Sequence, residues 1–324
     1  MDVPNPPPDI LDTVLPPEHE PGRLRYVRAA ALALFAFITI GGAYVLYHSD
    51  WPEVSAYWFA RRKLLMLAAL LATCDILTDA CIWMGILRQF NIRPGRGRGV
   101  LLFLSAYAGH LMPLQLGRFF RASEMARLGH GTFRTVVKAE IILLFFISVS
   151  SASVFTGALI YPWLGSAAVV VSVCLIVAAI QVTGILQPRI PRLNALFPNG
   201  YWRRPGTVLL ALATAIGWLL HSAVLYLIFR DVAESLKYHQ TLMIMTSNLF
   251  IGISSGLPGG LGITESYIGA MMYWLQTPPA HLVMAVAAFR IITFWLWIPV
   301  GWAAVLLVGL FYPRATPACP TPPA

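Results

Sequence analysis

Four glycines and a proline fall within seven residues, Gly256-Leu257-Pro258-Gly259-Gly260-Leu261-Gly262, between apolar segments long enough to cross a bilayer. No other feature restricts the fold as much. Relative to Ala, Gly costs about 1 kcal/mol and Pro about 3 kcal/mol inside a helix, so this stretch breaks any helix that contains it. Backbone that leaves helical geometry at membrane depth is tolerated only where protein or a water-filled cavity covers it. A second stretch repeats the pattern. Pro113-x-x-Leu116-Gly117 matches Pro258-x-x-Leu261-Gly262, and an acidic residue follows each, Glu124 and Glu265. Two broken segments in corresponding halves are a sequence sign of a transporter binding site. Two ordinary Gly/Pro loops between full spans are the plainer alternative.

Hydrophobic residues make up 58% of the chain and charged residues 11%, whereas soluble domains run near 25% charged. The composition is that of a polytopic membrane protein. The net charge of +9 therefore does not point to nucleic acid, because Lys and Arg collect in the cytoplasmic loops of such proteins. Cys74, Cys81, Cys174 and Cys319 form no Cys-x-x-Cys pair and read as reduced, with no metal site or disulfide framework. The chain has no GxSxG, Walker A or HExxH sequence, so catalytic signals are weak and no cofactor is expected.

The apolar runs predict six full spans, at about 24–47, 64–87, 136–161, 164–186, 207–229 and 281–311. The last is long enough to tilt or to kink at Pro299. Residues 1–22, rich in proline and acid, read as a disordered tail, 23–312 as the membrane domain, and 313–324 as a second disordered tail. Asp50–Ala60 reads as a short interfacial loop with Trp51, Tyr57 and Trp58. Val100–Gly117 and Thr241–Gln276 carry the two breaks. If both are re-entrant hairpins and the N-terminus is cytoplasmic, 17 of the 23 Lys and Arg residues lie inside. The exceptions are Arg61, Arg62, Lys63, Arg230 and Lys237, which fall outside, and Arg290, which lies within a span. A full crossing at Val100–Gly117 would turn the next five basic residues outward, against the positive-inside rule. Both termini are then cytoplasmic and the hairpins enter from opposite faces, as in an inverted-topology repeat. The cluster Arg61–Lys63 is the misfit of this scheme.

Ionisable residues within the bilayer cost about 2.5–3.5 kcal/mol each on insertion scales and are functional candidates. Arg290, in AVAAFRIITFW, lies too deep to snorkel, and Glu265 is the carboxylate expected to pair with it. A purely structural ion pair is the competing reading. Arg118 and Arg121 follow the first break; guanidinium forks suit phosphate oxygens, although such arginines also serve simply as cytoplasmic anchors. Glu124 is placed to orient Arg121 at i,i+3 or to face solvent. Lys138 and Glu140 mark the rim of the third span. Asp75 and Asp79 share a helix face at i,i+4 spacing and form a candidate proton or cation site; hydrogen bonding through Thr73 and Thr78 is the structural alternative. His110 and His221 read as core residues.

The string PLQLGRFFRASEMARLG, together with SGLPGGLGITESYIGAMMY and the later AAFRIITFWLWIPVGW, resembles the lysylphosphatidylglycerol synthase transmembrane family, over roughly residues 25–311. This is the flippase-like membrane domain of the bacterial multiple peptide resistance factor, which also occurs alone. The strongest parts are Pro258-Gly259-Gly260-x-Gly262-x-x-Glu265 and the later Arg290. The family's first motif usually reads Pro-x-x-x-Gly-Glu-x-x-Arg; here Pro113, Gly117 and Arg121 match, and Arg118 stands in the Glu position. The resemblance implies movement of a lipid or lipid-linked group between leaflets of the bacterial inner membrane. With no soluble synthase domain in these 324 residues, lysyl transfer is not expected. The Arg118 departure favours an anionic headgroup, such as phosphatidylglycerol or a polyprenyl phosphate, over a lysylated one.

The expected fold is therefore an all-α integral membrane protein with about six full spans and two opposed re-entrant hairpins. The expected function is lipid translocation rather than enzymatic conversion, with Arg118, Arg121 and Arg290 holding a phosphate, and Glu265 and Glu124 orienting them. An enzyme acting on a lipid carrier, with Asp75 and Asp79 as base or metal residues, and a scaffold of a lipid-synthesis complex are the alternatives. Partners would be the lipid, a lipid-synthesis enzyme or a second copy of the chain.

Overall fold

The computed structural model describes residues 51–110, 112, 117–191, 194, 197–198, 200–277 and 279–312. The first expected span, both expected tails, Pro113 and Cys319 lie outside them. All regular elements among the described residues are helical. Five helical stretches are long and apolar enough to cross a membrane: Arg62–Gln89, Phe133–Leu164, Ala167–Arg189, Pro205–Phe229 and His281–Phe311. These match the five expected spans that fall within the described residues, and the chain is an all-α, multi-pass membrane protein.

In chain order the α-helices are α1 (Trp51–Ala60), α2 (Arg62–Gln89), α3 (Arg96–Ser105), α4 (Gly117–Arg127), α5 (Phe133–Leu164), α6 (Ala167–Leu186), α7 (Pro205–Phe229), α8 (Tyr238–Ser254), α9 (Ile263–Trp274), α10 (Pro279–Arg290) and α11 (Trp297–Phe311). The expected loop at Asp50–Ala60 is mostly helix α1. Its one breaker, Pro52, occupies the first turn, where a proline removes no intrahelical hydrogen bond.

The described residues form two compact units. The smaller comprises 51–62 and 177–208. Here Gln187 Nε2 donates to the Phe197 and Pro198 carbonyls at 3.0 and 3.3 Å, and Thr207 Oγ1 donates to Tyr201 O at 2.8 Å. Phe197, Tyr201 and Trp202 pack ring against ring beside these bonds.

The larger unit, 63–176 and 209–312, holds everything that follows. Each broken segment is a helix, a break and a second helix whose two arms pack on each other: α3 with α4, and α8 with α9. α8 also packs on α5, and α11 packs on α3 and on the 3-10 turn Ala106–Gly109. Lipid-embedded helices gain little from leaving water, so their contacts depend on close packing of small residues and on interhelical hydrogen bonds. Both devices are present. A Cβ at Gly117 would lie 2.6 Å from Gly109 O and 2.7 Å from Ala106 O, so the first arm pair closes only over glycine. Ala68, Ala72, Ala285 and Ala288 stand among Phe229, Ile268 and Phe289 in one buried cluster. Ser151 Oγ of α5 donates to Thr246 O of α8 at 2.9 Å, and Trp218 Nε1 of α7 to Ile147 O of α5 at 3.3 Å.

The long last span changes its helical geometry ahead of Pro299. It leaves α geometry one turn earlier, at a π segment Ile291–Trp295, and Pro299 sits in the first turn of α11. Leu296 N donates to Ile291 O at 2.9 Å and Trp297 Nε1 to Ile292 O at 2.9 Å, so the widened turn satisfies its own backbone ahead of the proline. The segment starts directly after Arg290.

Candidate functional site

Two arginine–glutamate clamps, the first fully buried and the second half-buried at its glutamate, frame the interior of the larger unit. In the first, Arg121 of α4 is 2% exposed. Its Nε donates to Glu140 Oε1 at 2.8 Å and its Nη2 to Glu140 Oε2, a bidentate fork. Trp83 Nε1 donates to the same Oε1 at 2.7 Å. The guanidinium lies 4.5 Å from the Trp83 ring centre and 4.4 Å from that of Phe103. One ion pair thus ties α2, α3, α4 and α5 together.

In the second clamp, Arg290 Nε donates to Glu265 Oε1 at 2.5 Å and Nη2 to Gly259 O at 3.1 Å. Glu265 is the third residue of α9, and its Oε2 accepts from Gly262 N at 2.7 Å, as capping acids do. Phe294 lies under the Arg290 guanidinium at 4.4 Å. Gly259 and Gly260 adopt φ of +56° and +65°, and Gly259 presents its carbonyl to this clamp. A Cβ at Gly259 would strike the Phe294 ring, and one at Gly260 would come within 2.6 Å of Thr264 Oγ1. The clamps are reciprocal. The first takes its arginine from the broken segment and its glutamate from the following long helix; the second takes the glutamate from the broken segment and the arginine from the following helix.

Between the clamps lies a cavity of about 470 Å³. Arg118, Arg121 and Arg290 line it, as do Asp79, His110, His221 and, from the broken segment, Gly256, Leu257, Gly259 and Gly260. A second lobe of about 240 Å³ adds Asp75, Trp218 and Trp297. Asp79, Tyr107, Arg118, His221 and Asn248 line both lobes. Ile253 and Leu257, 42% and 44% exposed, form an apolar edge of the larger lobe.

The expected residues fare differently within this geometry. Arg290 and Glu265 pair as the sequence suggested. Arg121 and Arg290 line the cavity, but two of the three nitrogens of each donate to Glu140, or to Glu265 and Gly259. Arg118 makes no hydrogen bond or ion pair among the described residues, so its donors are uncommitted at the cavity wall. Glu124 does not orient Arg121 and does not line the cavity. Its Oε2 accepts from Arg127 Nε at 3.0 Å. The reason is burial: Arg121 faces inward to a desolvated carboxylate, which leaves Glu124 to the more exposed Arg127. Glu140, read from the sequence as a rim residue, is instead 2% exposed and central to the first clamp. Asp75 Oδ2 accepts from His221 Nδ1 at 2.9 Å, while Thr73 and Thr78 bond their own helix at Ala69 O and Cys74 O. The structural alternative for the aspartates through those threonines therefore fails. Among the cavity residues, Tyr107, Trp218 and Asn248 had no sequence signal beyond their place in apolar runs.

The family model of the lysylphosphatidylglycerol synthase TM region matches residues 28–301. No curated protein matches the chain.

Proposed function

The chain belongs to the lysylphosphatidylglycerol synthase TM family, a membrane family tied to lipid modification or translocation, and on that premise we propose that it is a lipid translocase. The observation that carries the reading is Arg118, a guanidinium with no partner among the described residues, at the wall of a cavity of about 470 Å³. A phosphate oxygen pair supplies the missing acceptors. Arg290, with Nη1 uncommitted, stands at the same cavity and reinforces the positive field. The exposed Ile253 and Leu257 suit acyl chains that remain in lipid while the headgroup is enclosed. In this reading the two broken segments are re-entrant hairpins entering from opposite faces of the bacterial inner membrane, with both termini cytoplasmic, as the distribution of Lys and Arg favours.

The test is leaflet exchange of acyl-labelled phospholipids by purified protein in liposomes. Arg118→Gln is expected to lower exchange at least about tenfold, the loss of a charged hydrogen-bonding group from a buried site, with insertion and thermal stability retained. Unaltered exchange by the folded variant refutes the assignment. The Asp75–His221 pair is the observation that favours the enzyme alternative, since a carboxylate-oriented histidine is a general-base arrangement. Lipid product formation by the purified protein, lost in Asp75→Asn, would establish that reading instead.

A further inference from the structure

The cavity holds a second ionisable group with no partner among the described residues. Asp79 lines both lobes, yet it makes no hydrogen bond or ion pair among the described residues. Asp75, one turn earlier, is occupied by His221. Asn248 Oδ1 is buried at the same walls and also lacks a donor. The wall shared by the lobes thus presents two acceptors without a donor, and a donor group, Arg118, without an acceptor. Arg118 and Asp79 are near enough to act on each other through space but form no ion pair within 4.0 Å. Burying opposite charges without pairing them forfeits the attraction that would offset their desolvation. A ligand with an acceptor at one end and a donor at the other restores both.

We propose that the substrate is a phospholipid with a zwitterionic headgroup, its phosphodiester on Arg118 and its ammonium in the smaller lobe against Asp79 and Asn248 Oδ1. This rests on the phosphate reading of Arg118 and names the substrate class. Arg118 by itself suits any anionic headgroup; the unsatisfied acceptors add the requirement for a cationic end. Tyr107, Trp218 and Trp297 line the smaller lobe, and aromatic rings favour ammonium groups. A dehydrated inorganic cation fits less well. The lobe, at about 240 Å³, is several times the ~30 Å³ share of one water. No cluster of three or more His, Cys, Asp or Glu side chains suited to a metal occurs among the described residues. Space beside the carboxylates is kept by Gly217 of α7, where a Cβ would lie 3.0 Å from Asp75 Oδ1 and 3.6 Å from Asp79 Oδ1.

Exchange of acyl-labelled phosphatidylethanolamine and phosphatidylglycerol, with identical chains, tests this in liposomes with the full chain. The wild type is expected to move the ethanolamine lipid at least about tenfold faster, the discrimination of one buried charged hydrogen bond. Asp79→Asn, which preserves size, is expected to bring the ratio near one. Gly217→Val fills the lobe without altering charge and is expected to lower the ratio as well, which covers the case in which Asp79→Asn fails to fold. A wild-type ratio at or below one, or a ratio that neither variant changes, overturns the proposal. If exchange nevertheless needs Arg118, the phosphate reading stands; if Arg118→Gln also has no effect, both fall. A preference that disappears when sodium is replaced by a large organic cation assigns the lobe to a free ion and likewise overturns the proposal.

Discussion

Replacing Glu140 by Gln probes the first clamp directly. Glu140 meets Arg121 with both oxygens and accepts from Trp83 Nε1, and the two charged side chains are 2% and 3% exposed. Gln retains one acceptor oxygen, so it keeps either the Trp83 contact with Arg121 Nε or the Nη2 contact, and it sets an NH₂ donor against the remaining guanidinium donor. One hydrogen bond to a charged group is lost, worth about 1.5–3 kcal/mol, and Arg121 is left buried without a counter-charge. Breaking a buried pair in this way costs about 3–5 kcal/mol. The flanking rings of Trp83 and Phe103 hold Arg121 in both proteins and do not offset this loss. The expected loss is therefore about 3–5 kcal/mol, read as unfolding free energy of purified protein in mixed micelles. The double variant Arg121→Met/Glu140→Leu removes both charges and is expected to lose less than Glu140→Gln alone. A Glu140→Gln protein within about 0.5 kcal/mol of wild type, the scatter of surface substitutions, would refute the clamp. A double variant whose loss equals the sum of the two single losses would refute the coupling.

The remaining expectations concern the second break and the loop region. Gly259→Ala is expected to cost more than Gly256→Ala. Both carry positive φ, +56° and +64°, a strain of about 1–2 kcal/mol for alanine, but only the former meets Phe294, while nothing lies within 4 Å of Gly256; equal losses by thermal unfolding would refute the Phe294 contact. His130, between α4 and α5, accepts from Arg98 Nη1 at 2.5 Å through Nε2 in its neutral form. Burial, and then the Arg98 charge, hold its pKa below the ordinary histidine value. Its contribution is present above the unfolded histidine pKa of about 6.5 and is lost as pH falls below it. Thermal stability should accordingly decline on acidification, and less so in His130→Gln; equal pH dependence in the two proteins would contradict the assignment.

The second clamp was legible because both members broke local rules. Arg290 sits in an apolar run with no end within reach, and Glu265 stands three residues after the last glycine of a helix-breaking string, at a capping position. Their pairing needed only the cost of burying a charge. The first clamp was not legible. Glu140 lies near the start of its helix, where a carboxylate ordinarily faces water, and Glu124 offered Arg121 a closer partner along the chain. Proximity in sequence lost to burial, because the desolvated guanidinium gains most from a desolvated carboxylate.

The sequence by itself determined that this chain lives in a membrane, that its helices break at two related places and that Asp75 and Asp79 share a face. These follow from local quantities: transfer cost, helix propensity and the 3.6-residue period. Only the tertiary structure decided which charges are spent and which are left over. Arg121 and Arg290 are held by Glu140 and Glu265, Asp75 is held by His221, and Arg118 and Asp79 remain without partners among the described residues at one cavity wall. The partners lie 19, 25 and 146 residues apart. Their pairing depends on which helix faces meet, and no local pattern specifies that.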